Sequence, residues 1–125
     1  MKNTSPTCSA FRIAGGPMME LFQTEWCPAS RRVRQRLTEL GVDVVLRQVP
    51  VEHEARTGVL AATGSSSIPV LVADGQPIQG EDAIVEFLAA RFSEPPEARA
   101  HRAKAARARA RDLEEACRQR AVTTH

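Results

Sequence analysis

Apolar and polar positions repeat with two different periods along the chain, and each change of period marks a predicted element. Residues 18–23 form a short apolar run that predicts a strand. Residues 29–40 place an apolar side chain at every third or fourth position, which predicts an amphipathic helix. Gly41 follows it, where a left-handed residue commonly ends a helix. The predicted inner face of this helix comprises Ala29, Val33, Leu37 and Leu40.

The next two predicted elements are a strand and a weaker helix. β-Branched residues dominate positions 42–49, and the apolar centre of this segment predicts an interior strand. Residues 51–63 predict a short helix that Gly58 weakens and Gly64 ends. The predicted inner face of this second helix comprises Ala55, Val59 and Ala62.

A hairpin and a third helix complete the pattern. Residues 68–73 predict an apolar strand, and Asp74-Gly75 is a strong two-residue hairpin signal before a returning strand at 76–79. Pro69 lacks a backbone donor, so it belongs at the first residue of its strand or at an edge. Residues 83–92 predict a helix. Its predicted inner face comprises Ile84, Val85, Leu88 and Phe92.

The element order β-α-β-α-β-β-α predicts an α/β domain at residues 18–93. Two βα units followed by a hairpin predict parallel pairing and then one antiparallel partner, in a four-stranded mixed sheet flanked by helices. Residues 1–17 show neither period, and we expect a disordered N-terminal extension. Met18 and Met19 stand where the domain begins, and our hypothesis is that the natural chain starts at one of them.

Residues 94–125 have a different character from the domain before them. They alternate alanine and arginine, which predicts a helical tail, and they contain few large apolar side chains to bury. The net charge of +2 divides into +2 for residues 1–17, −3 for residues 18–93 and +3 for residues 94–125. The predicted domain is therefore mildly acidic, and both ends of the chain are basic.

Length and composition bound the class of protein. A chain of 125 residues has room for one core, and 42% hydrophobic with 26% charged residues is typical of a soluble domain. There is no apolar run of the ~20 residues that a membrane helix needs, and no signal-peptide pattern. Three scattered cysteines do not make a disulfide framework. We therefore expect a cytoplasmic protein with no membrane contact and no metal site.

The candidate chemistry lies at the turn between the first strand and the first helix, at Cys27. The unpaired N–H groups and the positive dipole end of the helix favour a thiolate there, and Pro28 fits the first helical position. Arg31 and Arg32 add positive charge within one turn, whereas Glu25 opposes them. The thiol pKa of ~8.5 can fall to roughly 3.5–7.5 in such surroundings. We predict a reactive nucleophile; the alternative is a small buried cysteine with no chemistry.

The element order and four local motifs together resemble the thioredoxin-like fold, of the type found in glutaredoxins and glutathione S-transferase N-terminal domains. The resemblance covers roughly residues 18–93. The motifs are Trp26-Cys27-Pro28-Ala29-Ser30, an arginine-rich helix that ends in Glu39-Leu40-Gly41, Ser67-Ile68-Pro69-Val70-Leu71, and Gly80-Glu81-Asp82-Ala83-Ile84.

This resemblance implies a binding site for a small thiol. In the family, the proline that matches Pro69 is cis and lies beside the cysteine, and the backbone of the residue matching Ile68 pairs with the cysteinyl part of glutathione. Residues matching Glu81 and Asp82 hold the γ-glutamyl end, where helix N–H groups take a carboxylate. Ser30 is expected to donate to the Cys27 thiolate. The implied thiol-binding set comprises Trp26, Pro28, Arg31, Ile68, Pro69, Glu81 and Asp82.

Ser30 stands where a dithiol glutaredoxin has its second cysteine, so the resemblance implies a monothiol route. Cys27 would attack the glutathione sulfur of a protein mixed disulfide, and free glutathione would then regenerate the enzyme. Iron–sulfur-binding monothiol members carry Cys-Gly-Phe-Ser, from which Pro28-Ala29 departs, so we expect no tightly bound cofactor. The basic residue often found shortly before the cysteine is absent.

Three functional hypotheses remain open at this stage. The first is a monothiol glutaredoxin-like oxidoreductase with glutathione, or another low-molecular-weight thiol, as co-substrate. The second is a non-catalytic thiol-binding or adaptor module that binds a partner through its basic tail. The third is a single domain related to glutathione S-transferases, since the roughly thirty residues after position 93 are too few for their helical second domain.

The tail and the two other cysteines have alternatives of their own. The tail is predicted to be either a solvated helix or a docking segment for an acidic partner, nucleic acid or another copy of the chain. It contains no aromatic residue for base stacking, which disfavours nucleic acid. Cys8 and Cys117 are expected to be incidental, or to act as distant resolving thiols if their segments fold back.

Overall fold

The computed structural model describes residues 19–123 of the chain. The predicted extension at residues 1–17, with Cys8 and the first of the two candidate start positions, lies outside the described residues. The structure contains β1 (Glu20–Gln23), α1 (Pro28–Leu40), β2 (Val45–Gln48), α2 (Thr57–Thr63), β3 (Val70–Ala73), β4 (Gln76–Gln79), α3 (Glu81–Arg91) and α4 (Ala98–Thr123). The predicted order and the C-terminal helix are therefore confirmed, and the fold is thioredoxin-like.

The four strands form one mixed sheet in the order β2-β1-β3-β4. β1 pairs parallel with β2 and antiparallel with β3, and β3 pairs antiparallel with β4. The expectation of parallel pairing up to the hairpin was therefore wrong for β3. The reason is that β3 begins beside the end of β1, with Val70 opposite Phe22. The short α2 does not carry the chain back to the end of the sheet where β1 begins, as a parallel β3 would require.

Two predictions for the segment between β1 and β3 also need correction. β2 is an edge strand, and its Leu46 is 44% exposed, because no further strand pairs beyond it. The predicted helix at 51–63 is a one-turn 3-10 helix (His53–Ala55) followed by α2. Val59 is buried as predicted, whereas Ala55 and Ala62 are exposed.

The main core lies between the sheet and the pair α1 and α3. Its largest fully buried side chains are Leu21, Leu71, Val33, Ile84 and Leu88. Burying a side chain of this size contributes about 1.5–3 kcal/mol each, so this cluster fixes both helices on the same face of the sheet. α2 lies on the other face, where Gly58 is close to the ring of Phe22.

Two turns depend on left-handed backbone conformations. Gly41, with φ 69°, ends α1 and donates its N–H to the carbonyls of Leu37 and Thr38. Asp74 and Gly75 have φ values of 53° and 79°, as expected for the tight hairpin turn that their sequence predicts. These turns place the ends of α1 and β3 as the sequence indicated.

The long helix α4 lies against α1. Ala98 at its start is buried, and the guanidinium groups of Arg102 and Arg109 reach Glu39 and Gln35 of α1 at 3.3 Å and 2.6 Å. Polar contacts thus hold the tail to the domain. None of the helices in the part of the chain that the structure describes combines the length and apolarity needed to cross a membrane.

Candidate thiol site

Three predicted segments meet at one edge of the sheet. Phe22 near the end of β1 pairs with Val70 at the start of β3, and Val70 pairs with Gln79 at the end of β4. The chain leaves β1 towards Cys27, enters β3 through Pro69, and leaves β4 into the start of α3. The three candidate segments of the sequence analysis therefore lie at the same edge.

Cys27 is the N-cap residue of α1, in the extended conformation with φ −83° and ψ 118°. Its Sγ accepts the backbone N–H of Ser30 at 3.5 Å, and Pro28 occupies the first helical turn as the sequence predicted. The sulfur itself takes the capping place that a serine or aspartate oxygen usually holds. This arrangement turns the start of the helix towards the thiol.

The surroundings of Cys27 lower the pKa of its thiol. Burial raises the pKa, but donation from the Ser30 hydroxyl and from the Ser30 and Ala29 N–H groups outweighs it. The charge of Arg34 lowers the pKa further. The Ser30 hydroxyl is fully buried and has no other partner among the described residues, so the sulfur is the acceptor available to it. A thiolate is the form that these groups favour.

Arg34 is a residue that the sequence analysis missed. Its guanidinium donates to the Gln23 side chain, to the Thr24 carbonyl at 3.2 Å and to the Glu25 carboxylate at 3.0 Å. It thus supplies the positive charge that is lacking before the cysteine, and it pairs the acid that was expected to oppose the thiolate. The available signal was its position seven residues after Cys27, two helical turns along the same face.

The two arginines that the sequence placed beside the sulfur have other contacts. Arg32 pairs with Glu81 at 2.7 Å, which links α1 to the start of α3. The contact is close, although its geometry is not that of a hydrogen bond. Arg31 is exposed and lines a cleft between α1 and α4. The charge that lowers the pKa of the Cys27 thiol is instead that of Arg34.

The Ile68–Pro69 peptide bond is cis, as the resemblance implied. Pro69 is fully buried, and its carbonyl accepts the N–H of Gly80 at 2.9 Å. This hydrogen bond joins the loop before β3 to the residue that precedes α3. Glu81 and Asp82 form the first turn of α3, with Glu81 half-buried and Asp82 exposed.

A second missed residue, Arg56, holds the loop that leads to the cis proline. It is only 4% exposed, and its guanidinium donates to the carbonyls of Pro50 and Ser66 at 2.8 Å and of Val51 at 3.1 Å. A buried cation among backbone carbonyls fixes both loops against each other. The sequence offered no clear signal for it, because the predicted helix at 51–63 also contains Glu52, His53 and Glu54.

The remaining candidate residues flank this edge. Trp26 is 61% exposed and Pro28 is exposed, so both border the thiol from the solvent side. Cys117 is an exposed free thiol on α4. Among residues 19–123, no group of three or more His, Cys, Asp and Glu side chains is arranged to hold a metal ion.

Comparison with known proteins places this geometry in context. Residues 19–78 match the sequence profile of the family described as Glutaredoxin. No curated protein matches the sequence.

Solved structures with the same fold include glutathione S-transferases. A glutathione S-transferase domain-containing protein from Marinobacter aquaeolei is 35% identical, with a TM-score of 0.54 over 61% of this chain and 40% of its own. A glutathione S-transferase from Sinorhizobium meliloti is 28% identical, with a TM-score of 0.56 over 63% of this chain and 38% of its own. A rice glutathione S-transferase in complex with glutathione is 24% identical, with a TM-score of 0.56 over 78% of this chain and 45% of its own. This chain thus spans less than half the length of each.

Proposed function

We propose, because residues 19–78 form a domain of the glutaredoxin and glutathione S-transferase N-terminal family, that the protein is a monothiol thiol–disulfide oxidoreductase. Its substrates would be mixed disulfides between glutathione, or another low-molecular-weight thiol, and the thiol of a protein or small molecule. The observation that carries the proposal is Cys27 at the N-cap of α1, with its thiol pKa lowered by the donors of Ser30.

The reaction has two exchange steps at the Cys27 sulfur. In the first, the thiolate attacks the glutathione sulfur, a Cys27–glutathione disulfide forms, and the electron pair of the broken bond leaves on the other thiol. In the second, the thiolate of a second glutathione attacks the sulfur of the bound glutathionyl group. Oxidised glutathione leaves, and the Cys27 thiolate is restored.

The chain's own groups have separate roles in this proposal. The hydroxyl and N–H of Ser30 hold the negative charge on Cys27 both before attack and after release. The backbone of Ile68, which precedes the cis Pro69, would pair with the cysteinyl part of glutathione.

The other end of glutathione would lie at the start of α3. There the helix N–H groups would take its γ-glutamyl carboxylate, and Glu81 with Asp82 would pair its ammonium group. Trp26, Pro28 and Arg31 would border the bound thiol. The match to the glutaredoxin family supports glutathione as the thiol, and the rice transferase with the same fold was solved in complex with glutathione.

Turnover of the mixed disulfide between glutathione and 2-mercaptoethanol tests the proposal. We expect the full chain to reduce it with glutathione as the second substrate, Cys27→Ser to abolish turnover, and Cys117→Ser to retain it. Mass spectrometry of the Cys8→Ser, Cys117→Ser protein should then show one glutathionyl group, on Cys27. A folded wild-type protein that binds glutathione without turning over this substrate would favour the adaptor hypothesis. Conjugation of glutathione to a model electrophile would instead favour a transferase-related activity.

A further inference from the structure

An arginine-lined cleft lies between α1, α3 and α4. Its volume is about 510 Å³, within the roughly 300–1,000 Å³ that small-molecule sites occupy. Glu39 is the carboxylate in its lining. The arginines that line it are Arg31, Arg32 and Arg36 from α1, with Arg102 and Arg109 from α4.

Three of these five arginines are neutralised by neighbouring carboxylates. Arg36 contacts Glu39 at 2.8 Å and Glu94 at 2.7 Å, and Arg102 contacts the same two acids. Arg32 pairs with Glu81 at 2.7 Å. These three arginines are therefore balanced by three carboxylates, of which Glu39 lines the cleft and Glu81 and Glu94 lie beside it.

The other two arginines form no ion pair with a carboxylate of the described residues. The guanidinium of Arg31 makes no hydrogen bond or ion pair with another residue of the part described, and Arg109 donates only to the neutral amide oxygen of Gln35, at 2.6 Å. Asp112 lines the adjoining cavity beside Arg31 and Arg109, but it forms an ion pair with neither, so both guanidinium groups are available to a ligand. A guanidinium group can bind two oxygens of a carboxylate or phosphate at once. An oxyanion is therefore the ligand that this arrangement fits.

The cleft begins close to the reactive sulfur. The backbone N–H of Arg31 donates to the carbonyl of Cys27 at 3.0 Å, so the two residues are one helical turn, about 6 Å of rise, apart. The Arg32–Glu81 contact stands between the cleft and the start of α3, where the proposed thiol site holds the γ-glutamyl end. A group in the cleft is therefore separated from a γ-glutamyl group at the start of α3 by the Arg32–Glu81 pair.

We propose that this cleft binds the anionic part of a small thiol that is disulfide-bonded to glutathione, and so selects substrates whose leaving thiol carries a carboxylate or phosphate. The selection rests on the proposed function, because the leaving thiol departs when Cys27 attacks the glutathione sulfur. Arg31 and Arg109 hold its oxyanion while the electron pair of the broken disulfide passes to its sulfur. The Cys27–glutathione disulfide forms as this thiolate departs.

The first experiment measures binding without thiol chemistry. The full chain is titrated calorimetrically at low salt with citrate, as the carboxylate probe, and with inorganic pyrophosphate, as the phosphate probe. We expect saturable, salt-sensitive binding of one probe, and about a tenfold loss of affinity in Arg109→Gln, as for loss of one charge-assisted contact. Whichever probe binds identifies the oxyanion. The matched control is Arg107→Gln on the same helix, because Arg107 is exposed and lies outside the cleft lining.

The second experiment measures selection. We compare kcat/KM for an anionic and a neutral substrate in each variant. The anionic substrate is the mixed disulfide of glutathione with mercaptosuccinate or with 2-mercaptoethyl phosphate, and the neutral one is that with 2-mercaptoethanol. We expect one anionic substrate to be favoured about tenfold, and Arg109→Gln, but not Arg107→Gln, to remove the preference.

The two experiments separate the possible failures. Neither probe binding, or both arginine variants weakening binding equally, would overturn the anion site. Turnover without a charge preference would overturn the selection while leaving the thiol chemistry intact. Probe binding without turnover of any disulfide would refute the proposed function, and with it the substrate role of the cleft. A lowered Tm in Arg109→Gln with unchanged binding would show that this residue serves only to hold α4.

Discussion

The guanidinium of Arg34 donates to the carbonyl of Thr24 at 3.2 Å, from a helix that begins four residues after that carbonyl. The helix that is capped by Cys27 therefore also holds the loop that delivers Cys27 to it. The same side chain pairs with Glu25, the acid closest to the cysteine in sequence. Arg34, two turns into the helix, thus contributes both to the position of Cys27 and to the positive charge near its sulfur.

Replacing Arg34 with glutamine should raise the pKa of Cys27, because its positive charge is one of the causes that lower it. At a pH on the acid side of the titration, less thiolate would be present, so alkylation should slow by up to about tenfold per pKa unit. The measurement is the pH dependence of alkylation in a Cys8→Ser, Cys117→Ser background. Arg99→Gln, an exposed arginine on α4, is the control. An unchanged profile in Arg34→Gln would mean that its charge does not reach the sulfur.

Ser30→Ala should also raise the pKa of Cys27, but it should leave α1 intact. It removes the buried hydroxyl while the backbone N–H of residue 30 still donates to the sulfur. We expect a slower first exchange step at neutral pH and an unchanged helix content by circular dichroism. Ser93→Ala, at an exposed position, is the matched control. Equal alkylation profiles for wild type and Ser30→Ala would contradict a role for the hydroxyl.

Arg56→Met should destabilise the fold more than a change at any exposed arginine. Three backbone carbonyls lose a charged donor in a buried place, which is expected to cost about 3 kcal/mol or more. The measurement is the free energy of unfolding by urea. Arg47→Met removes an exposed pair with Glu20 and should cost no more than about 1 kcal/mol. Similar losses in both variants would mean that the loops hold without this cation.

Stability should fall in acid through Glu39. Burial raises the pKa of this carboxyl, but the hydrogen bonds of Gln35 and Arg36 and the charge of Arg102 outweigh it, so the pKa is lowered on folding. Its stabilisation is therefore complete above the ~4.3 of an unfolded glutamate, and is lost as the pH falls through the lowered folded value.

Thermal melts across this range test the assignment. Glu39→Gln should lower Tm at neutral pH and flatten the loss of Tm between about pH 5 and pH 3. Glu86→Gln, which is exposed, should behave as wild type. An acid dependence that is equally steep in Glu39→Gln would assign the effect to other carboxyls.

Local signals predicted most of the fold. The period of α1 identified its buried face, in which Val33, Leu37 and Leu40 are all buried, and Asp74-Gly75 identified the hairpin. The cysteine, the cis proline and the acidic start of α3 were located by motifs at element boundaries. These features could be predicted because each depends on residues next to one another in the sequence.

The features that the sequence did not predict depend on tertiary contacts. The apolar centre of β2 suggested an interior strand, but sheet order is set by which strands pair, and Leu46 lies at an edge. Arg56 finds its partners in two separate loops, so no local pattern could assign them. The spacing of Arg34 from Cys27 could mark its face of the helix, but not its contact with Thr24. α4 has no apolar stripe, and its position on α1 depends on arginine contacts such as those of Arg102 with Glu39 and Glu94.

The length of α4 has a consequence for how the molecule tumbles. At 26 residues the helix is about 39 Å long, twice the length of the 13-residue α1 on which it lies. Every described side chain from residue 106 to residue 121 is exposed, so the second half of the helix extends into solvent. The particle is therefore a compact body with a rod attached. Its rotational diffusion should be anisotropic, slowest for turns that swing the rod end over end and fastest for spin about the axis of α4.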